Sequence, residues 1–368
     1  MEIRWASAGA VGHESRTLGE RLGLGGRTAK CVFVYVSPTA DLDRLGTELA
    51  ALEVPVIACT TAGQIGREGF EHGDLTAAAV FDGLSVSSYA IPSLVDLEAS
   101  VDRAAGALIA SGILERSDVS TFGVVLVDGL SRAEERLMHA LHLRLPRLSI
   151  VGGSAGDELA FQQTHVFFDG KFRQGGAVLH VFSTPCKVAP IKLQHHVPTE
   201  HRLVITRATP ANRMVHEING LPAVEAYARA VGVEPEALDN SHTAAHPLML
   251  KIGNEHFVRS IRLRQDDGSL ELFSAIEQGL VVRLGTSAGL VETLEAAFAR
   301  ASREVGGPAL VLGYDCILRR TEIERRNLGG QIGSLFVEHN VIGFSTYGEQ
   351  FNALHANQTF TGIMIGRA

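Results

Sequence analysis

Short apolar runs alternate with amphipathic segments along this chain, and the alternation predicts its secondary structure. The run Cys31–Val36 predicts a buried strand. Residues 41–52 then carry apolar side chains at helical spacing behind Asp41, a residue type that caps helices. Residues 54–59 predict a second strand. Because a strand, a helix and a strand follow in that order, parallel pairing through a right-handed crossover is favoured.

The same pattern returns near the end of the sequence. Residues 309–312 predict a strand, and residues 319–339 predict a helix that is broken near Gly329 and Gly330. Residues 341–344 start another strand. The pattern therefore predicts an α/β fold with mixed sheets, β-α-β units and hairpins, one of them at the turn Asp82-Gly83.

An internal repeat links the two ends of the chain. The turn after the first unit, V-I-A-C-T-T-A-G-Q at 56–64, matches V-I-G-F-S-T-Y-G-E at 341–349, and I-V-G-G-S-A-G at 150–156 is a weaker third copy. Two interpretations remain open. In one, the chain has two related halves that face each other across a shared site. In the other, unrelated β-α-β units converge on Gly, Ser and Thr turns.

Length and composition indicate a globular protein with room for two cores. The chain has 368 residues, of which 45% are hydrophobic and 20% are charged. The strand pattern changes after Pro185, and a helix with proline in its first turn follows at 222–231. We predict an N-terminal segment at 1–30 and domains at 31–218 and 219–368.

Charge and cysteine usage favour a cytoplasmic protein. The formal net charge of −8 argues against binding to nucleic acid or to an anionic membrane. No apolar run reaches membrane-spanning length, and the first residues lack the pattern of a signal peptide. The four cysteines are widely separated, without a C-x-x-C pair, which is typical of a reducing compartment.

Enzyme motifs are scarce in the sequence. Residues 152–156 match G-x-S-x-G, the pattern around the nucleophile of α/β hydrolases, but the segment after it is too short for the helix that this motif requires. No dinucleotide, P-loop, zincin or c-type haem motif occurs. We expect a protein that is not an enzyme, with a serine hydrolase using Ser154 as an alternative.

Histidines lie among apolar residues near position 250. His246 precedes Pro247, and His256 precedes Phe257. An apolar pocket with one neutral imidazole is what axial ligation of haem iron requires, and Arg259 is placed to pair with a propionate. A haem site with His246 on the iron and His256 as its nearest rival is one interpretation. A hairpin with solvent-facing histidines is the other.

Further candidate residues flank this segment and the last repeat. Leu248 and Leu250 are expected to shield the iron if His246 is its ligand. Tyr314 and Cys316 end the strand predicted at 309–312 and complete the predicted cofactor-binding set. Cys316 is interpreted either as an inert core thiol or as a soft ligand at the carboxyl end of that strand.

Taken together, these segments resemble the FIST family. The matching segments cover nearly the whole chain: I-A-C-T-T-A-G-Q at 57–64, V-G-G-S-A-G-D at 151–157, N-G-L-P at 219–222, H-P-L at 246–248, V-R-S at 258–260, G-F-S-T-Y-G-E at 343–349 and N-Q-T at 357–359. The resemblance implies a FIST N-like domain at 31–218 and a FIST C-like domain at 219–368. It also implies a sensory, ligand-binding role in signal transduction.

The segment D-C-I-L-R-R at 315–320 narrows the resemblance to the NosP group within this family. Resemblance to that group implies a bacterial sensor that binds b-type haem and nitric oxide and regulates a partner histidine kinase. A homodimer is compatible with this role. The alternative within the family is a module that senses an amino acid or another small metabolite.

Overall fold

The structure, a computed structural model, describes residues 1–8 and 16–367. Its helices and mixed sheets confirm the predicted α/β class. Three units of the chain each supply the core of one six-stranded sheet. The first unit contains β1 (Ile3–Ala8), α1 (Leu18–Arg21), β2 (Cys31–Val36), α2 (Leu42–Ala50), β3 (Val56–Thr60), β4 (Gln64–Gly66), β5 (Gly69–Phe70) and β6 (Leu75–Val80).

The second unit repeats this order of elements. It contains β7 (Ser85–Ile91), α3 (Leu97–Ala110), β8 (Ser120–Val127), α4 (Glu134–Arg144), β9 (Ser149–Ser154), β10 (Val166–Phe168), β11 (Lys171–Arg173) and β12 (Ala177–Thr184). The third unit opens with β13 (Val188–Gln194), after which the chain leaves it for an inserted sheet.

The inserted sheet has eight strands and stands between the first strand and the first helix of the third unit. It contains β14 (His196–Thr209), β15 (Met214–Ile218), β16 (Leu221–Pro222), α5 (Ala223–Val231), α6 (Asn240–Ala245), β17 (Leu248–Ile252), β18 (Glu255–Arg259), β19 (Ile261–Arg264), β20 (Leu270–Leu272) and β21 (Val281–Ser287).

The chain then completes the third unit. Its remaining elements are α7 (Leu290–Val305), β22 (Pro308–Cys316), α8 (Ile317–Arg325), α9 (Gly329–Glu338), β23 (Val341–Thr346), β24 (Glu349–Phe351), β25 (Leu354–Ala356) and β26 (Thr359–Gly366). Among the described residues, no helix is both long and apolar enough to cross a membrane.

The three six-stranded sheets share one strand order. They run β1-β6-β2-β3-β10-β11, β7-β12-β8-β9-β24-β25 and β13-β26-β22-β23-β4-β5. In each sheet the two strands of the β-α-β unit pair in parallel, as predicted, and the other neighbours are antiparallel. The last two strands are a hairpin contributed by another unit. Each unit therefore gives its hairpin to one neighbour and receives a hairpin from the other.

Backbone hydrogen bonds join the three repeated turns in a closed ring. The amide of Ala62 donates to the carbonyl of Ser345 (3.0 Å), that of Tyr347 to Ser154 (3.2 Å), and that of Gly156 to Thr60 (3.1 Å). The turns at 60–63 and 345–348 therefore occupy equivalent places, as the repeat predicts. The third copy is complete, so the structure has three related units where the sequence suggested two halves.

One apolar core fills the space between the three sheets. The sheets contribute inward-facing side chains such as Phe33, Phe122, Phe182, Leu312 and Phe344, all completely buried. The helices cover the outer faces of the sheets with separate clusters, and the inserted sheet has its own core beneath α5. Burial of apolar area on both sheet faces explains why the strands are continuous apolar runs.

The turn Asp82-Gly83 does not form the predicted hairpin. The strand before it, β6, pairs with β1 and β2, whereas the strand after it, β7, pairs with β12 in a different sheet. The sequence signal marks the turn correctly, with Gly83 at φ 75°. Here the turn passes the chain from the first unit to the second.

Candidate functional site

The predicted turn motifs and several unexpected polar residues meet at the carboxyl ends of β22 and β23. These ends lie together because the two strands are parallel, with Cys316 opposite Thr346. The strand β13 ends beside them, since Gln194 pairs with Thr359 at the start of β26. The helices α6 and α8 pack against each other over this edge. We call the buried polar residues here the polar site: Asp315, Arg319, Glu322, Glu349, Asn357, Gln358, His195 and His196.

A buried ion pair lies in the polar site. The Nε atom of Arg319 donates to Oδ1 of Asp315 at 2.6 Å, and both side chains are completely buried. Burial raises the pKa of Asp315, while the charge and hydrogen bond of Arg319 act in the opposite direction. Both terminal nitrogens of Arg319 and Oδ2 of Asp315 lack a hydrogen-bond partner among the described residues.

Two adjacent histidines share one carboxylate. Nε2 of His195 lies 2.9 Å from Oε2 of Glu322, and Nε2 of His196 lies 3.6 Å from the same oxygen. Burial, together with the neighbouring His195, lowers the pKa of His196 to about 3. Burial acts to raise the pKa of Glu322, but the hydrogen bond from His195 and the charges around it lower this pKa to about 2. Neutral imidazoles beside an ionised carboxylate result.

Glu349 is the second completely buried carboxyl group in the polar site. It accepts hydrogen bonds from the Thr346 hydroxyl and from both the amide (3.1 Å) and hydroxyl (2.8 Å) of Thr359. Burial raises its pKa to about 8, although these hydrogen bonds oppose the shift. The site therefore holds a protonated acid at neutral pH.

The segment Asn357-Gln358 connects the polar site to α6. Nε2 of Gln358 donates to the carbonyl of Ala244 at 3.2 Å. Both polar atoms of the Asn357 side chain, and Oε1 of Gln358, are buried with no partner in the described parts of the chain. Since an unpaired buried polar group costs about 1–3 kcal/mol, such a concentration indicates a place for a polar ligand or ordered water.

His246 and Arg259, two of the predicted cofactor-binding residues, lie near each other. His246 follows α6 directly. Two residues later, Leu248 starts β17 and pairs with Arg259 of β18. Arg259 is half-buried near Glu135 and Arg213, and burial lowers its pKa while Glu135 opposes this shift. Its Nε atom has no partner among the described residues. His246 and Arg259 are thus on one end of the β17–β18 hairpin.

His256 lies at the other end of this hairpin. Its partner in the strand register is Lys251, five residues after His246. At a rise of about 3.3 Å per residue, His256 is therefore about 16 Å along the strand from His246. The two histidines cannot contact the same small ligand atom.

Tyr314 and Cys316 lie on the same strand in different surroundings. Tyr314 is completely buried in the core between the sheets, where its ring packs edge-on against Phe344. Cys316 belongs to a small apolar cluster with Ala244 and Phe273, beneath α6. Burial raises the pKa of the Cys316 thiol well above its ordinary value, so this thiol is protonated at neutral pH.

Ser154 is buried inside the ring of turns. Its Oγ atom accepts a hydrogen bond from Nε2 of Gln350 at 3.0 Å, and the same amide lies 3.3 Å from Nδ1 of His355. Within residues 1–8 and 16–367, no histidine or carboxylate contacts this hydroxyl directly. The predicted nucleophile arrangement therefore lacks the base that would activate it.

Sequence reasoning missed the convergence of His195, His196, Glu322 and Asn357. The paired histidines and the N-Q-T segment are visible in the sequence, yet 127 residues separate His195 from Glu322. Their meeting depends on how α8 packs against the point where the chain enters the eight-stranded sheet, which is a long-range contact. The paired histidines and the N-Q-T segment at 357–359 were the available signals, and neither indicates Glu322 as a neighbour.

Two family models match the chain. A model of the FIST N domain matches residues 30–221, and a model of the FIST C domain matches residues 223–352. A search of curated proteins gives no match. The matched ranges meet between β16 and α5, inside the eight-stranded sheet. The boundary predicted at 218/219 lies in the turn between β15 and β16 of the same sheet.

Proposed function

Because the chain belongs to the FIST family of small-ligand sensors in signal transduction, we propose that it binds b-type haem through His246 and senses nitric oxide. In this proposal it is a cytoplasmic protein that regulates a partner histidine kinase. A bound haem would supply an iron atom that takes up nitric oxide.

The free imidazole of His246 carries this proposal. His246 is half-buried, and within the described residues its ring has no hydrogen-bond or ion-pair partner. Its backbone is held firmly, since the carbonyl accepts a hydrogen bond from the Tyr227 hydroxyl at 2.6 Å. A positioned imidazole whose nitrogens are not engaged by another side chain is what an axial haem ligand requires.

The surroundings of His246 fit a haem in part. Arg259 on the adjacent strand has an unpartnered Nε atom and can pair with a propionate. Ala244, two residues before His246, belongs to an apolar cluster with Phe273. Leu248, which is predicted to shield the iron, is completely buried in the core of the inserted sheet.

The helix α6 links His246 to the rest of the protein. A change in the position of His246 moves the end of α6, and α6 contacts both α8 and the Gln358 side chain. The signal would therefore reach the polar site and the start of β26. A partner kinase that binds one of the two arrangements more tightly would respond to the ligand.

A small polar metabolite is the second candidate ligand. The observation that favours it is the concentration of unpartnered buried groups in the polar site, above all the two terminal nitrogens of Arg319 and the amide of Asn357. A guanidinium and a primary amide with free donors suit the carboxylate of an amino acid. The helix α6 would then close over the metabolite.

Ligand titration separates the two candidates. We would titrate the purified protein with haem, followed by absorption, and separately with a panel of amino acids, followed by thermal unfolding. Saturable haem binding with a His-ligated spectrum is the expected result. No haem uptake, together with stabilisation by one amino acid and loss of that effect in Asn357→Ala, would replace the haem proposal with the metabolite one.

A further inference from the structure

His195, His196 and Glu322 bring three metal-binding side chains together in a closed part of the molecule. One donor atom from each side chain lies within 4.8 Å of the others, and all three side chains are buried. The two imidazole rings stand 4.0 Å apart between centroids. No other such group of three occurs among the described residues.

Most imidazole nitrogens of this group have no hydrogen-bond partner among the described residues. Nδ1 of His195 and both ring nitrogens of His196 are buried with no partner at good hydrogen-bond geometry in the described parts of the chain, although the Ala244 backbone lies close to the His196 ring. Two imidazoles and one carboxylate at a single point have no evident packing purpose, because apolar side chains would fill the same volume without unpaired polar atoms. A bound cation would take Nε2 of each histidine and Oε2 of Glu322, with the ring proton of His195 on its unpartnered Nδ1.

We propose that His195, His196 and Glu322 bind a divalent transition-metal ion of the zinc class, independently of any haem at His246. Two imidazole nitrogens and one carboxylate oxygen are a common ligand set for such ions. An ion about 2.1 Å from each donor atom, in tetrahedral geometry, would hold these atoms about 3.4 Å apart. Nε2 of His195 and Nε2 of His196 already lie 2.9 and 3.6 Å from Oε2 of Glu322.

The neighbouring charges leave room for a cation. Arg326 contacts Oε1 of Glu322 at 3.0 Å, while both histidines approach Oε2, so the arginine and the ion use different oxygens. Arg326 is partly exposed and also contacts the Ser287 hydroxyl. Arg319, the other nearby cation, is neutralised by Asp315 at 2.6 Å.

The position of the group assigns the ion a structural role. His195 and His196 lie where the chain leaves β13 of the third unit and enters β14 of the inserted sheet. Glu322 belongs to α8, which follows β22 of the third unit. An ion bound by all three would fasten the inserted sheet, with α6 and His246, to the three-unit core.

Zinc binding by the full chain tests this inference. The protein would be stripped with a chelator and dialysed against Zn²⁺, and the bound zinc would be counted by mass spectrometry alongside the unfolding temperature. Glu322→Gln keeps the shape of the side chain, and His196→Asn removes one nitrogen ligand. His180→Asn is the matched control, because His180 is equally buried but contacts Ser88 in the second unit.

The inference predicts a single zinc per chain in the wild type and in His180→Asn, with a higher unfolding temperature when zinc is present. In Glu322→Gln and His196→Asn, zinc affinity falls by roughly tenfold or more and the zinc-dependent rise in unfolding temperature disappears. A wild type that binds no zinc overturns the inference. So does unchanged zinc affinity in a folded Glu322→Gln variant. Haem content decides nothing here, so the two proposals fail separately.

Discussion

Arg319 and Asp315 form an ion pair that is completely shielded from water, with Nε of the guanidinium 2.6 Å from Oδ1 of the carboxylate. The two residues are one helical turn apart, across the junction of β22 and α8. Asp315 is pinned by its strand, because it pairs with Ser345 on one side and Phe360 on the other. The pair therefore fixes where α8 starts over the polar site.

Breaking this pair on one side should be costly. We expect Asp315→Asn to lower the free energy of unfolding by roughly 3–5 kcal/mol, because it leaves the Arg319 charge buried without compensation. The double variant Asp315→Leu, Arg319→Met should recover most of that loss. Urea denaturation checks both. Asp118→Asn, at the exposed pair with Arg116, is the control and should change stability little. An equally small effect of Asp315→Asn would contradict the burial argument.

The close approach of two units requires glycine at position 153. A Cβ atom added there would lie 2.6 Å from Cγ2 of Thr346 and 2.9 Å from the ring of Phe344, which both belong to the third unit. We expect Gly153→Ala to destabilise the protein by about 1–3 kcal/mol in thermal or urea unfolding. Gly106→Ala, in the exposed face of α3 where nothing lies within 4 Å, should instead be neutral or slightly stabilising.

Much of the fold was predictable because local rules determine it. The parallel pairs follow from the order strand, helix and strand in the sequence. The matching sequences of the turns at 60–63 and 345–348 predicted that these turns occupy equivalent places. The exchange of hairpins between units was not predictable. The hairpin β24–β25 pairs with β9, roughly two hundred residues earlier, and only long-range packing selects that edge. The turn at Gly83 failed as a hairpin signal for the same reason.

Glu349 should make stability fall as the pH rises. Its pKa is about 8 in the folded protein against an ordinary 4.5, so the native state binds more protons between these values. This contribution is fully present below about pH 4.5 and is lost as the pH rises through about 8. The slope is up to about −1.4 kcal/mol per pH unit for one proton. The nearby charge of Asp315 adds to the raised pKa of Glu349, and Glu349 in turn helps to raise the pKa of the Cys316 thiol.

Urea denaturation between pH 5 and pH 8.5, as rough limits chosen around that pKa, checks this expectation. Glu349→Gln should show a flatter pH dependence than the wild type, because glutamine does not titrate. Glu338→Gln, on the exposed face of α9, should follow the wild type. Parallel curves for all three proteins would place the pKa of Glu349 near its ordinary value.

Ser154 should not react as a nucleophile. Its hydroxyl is completely buried and receives a hydrogen bond from Gln350, an amide that cannot accept a proton. We expect no labelling by a fluorophosphonate probe and no ester hydrolysis that disappears in Ser154→Ala. Stoichiometric labelling that maps to Ser154 would restore the hydrolase alternative.

The site was less predictable than the fold. His246 lies two residues before Leu248, the strand partner of Arg259, so His246 and Arg259 lie at the same end of the hairpin. His256 was the nearest rival of His246 in the sequence, and the strand register places it at the far end of the same hairpin. Arg319, Glu322 and His195 meet only through tertiary packing, so spacing along the chain contained no information about their contact.

The absorption spectrum of haem-loaded protein, compared between His246→Ala and His256→Ala, tests the central claim most directly. We predict that the wild type and His256→Ala show a Soret band typical of histidine ligation that shifts on addition of nitric oxide. His246→Ala should lose most of its haem or its normal ferrous spectrum, and added imidazole should restore part of it. Unchanged haem content and ferrous spectrum in His246→Ala, or a wild type that stays colourless with haem, would contradict the claim.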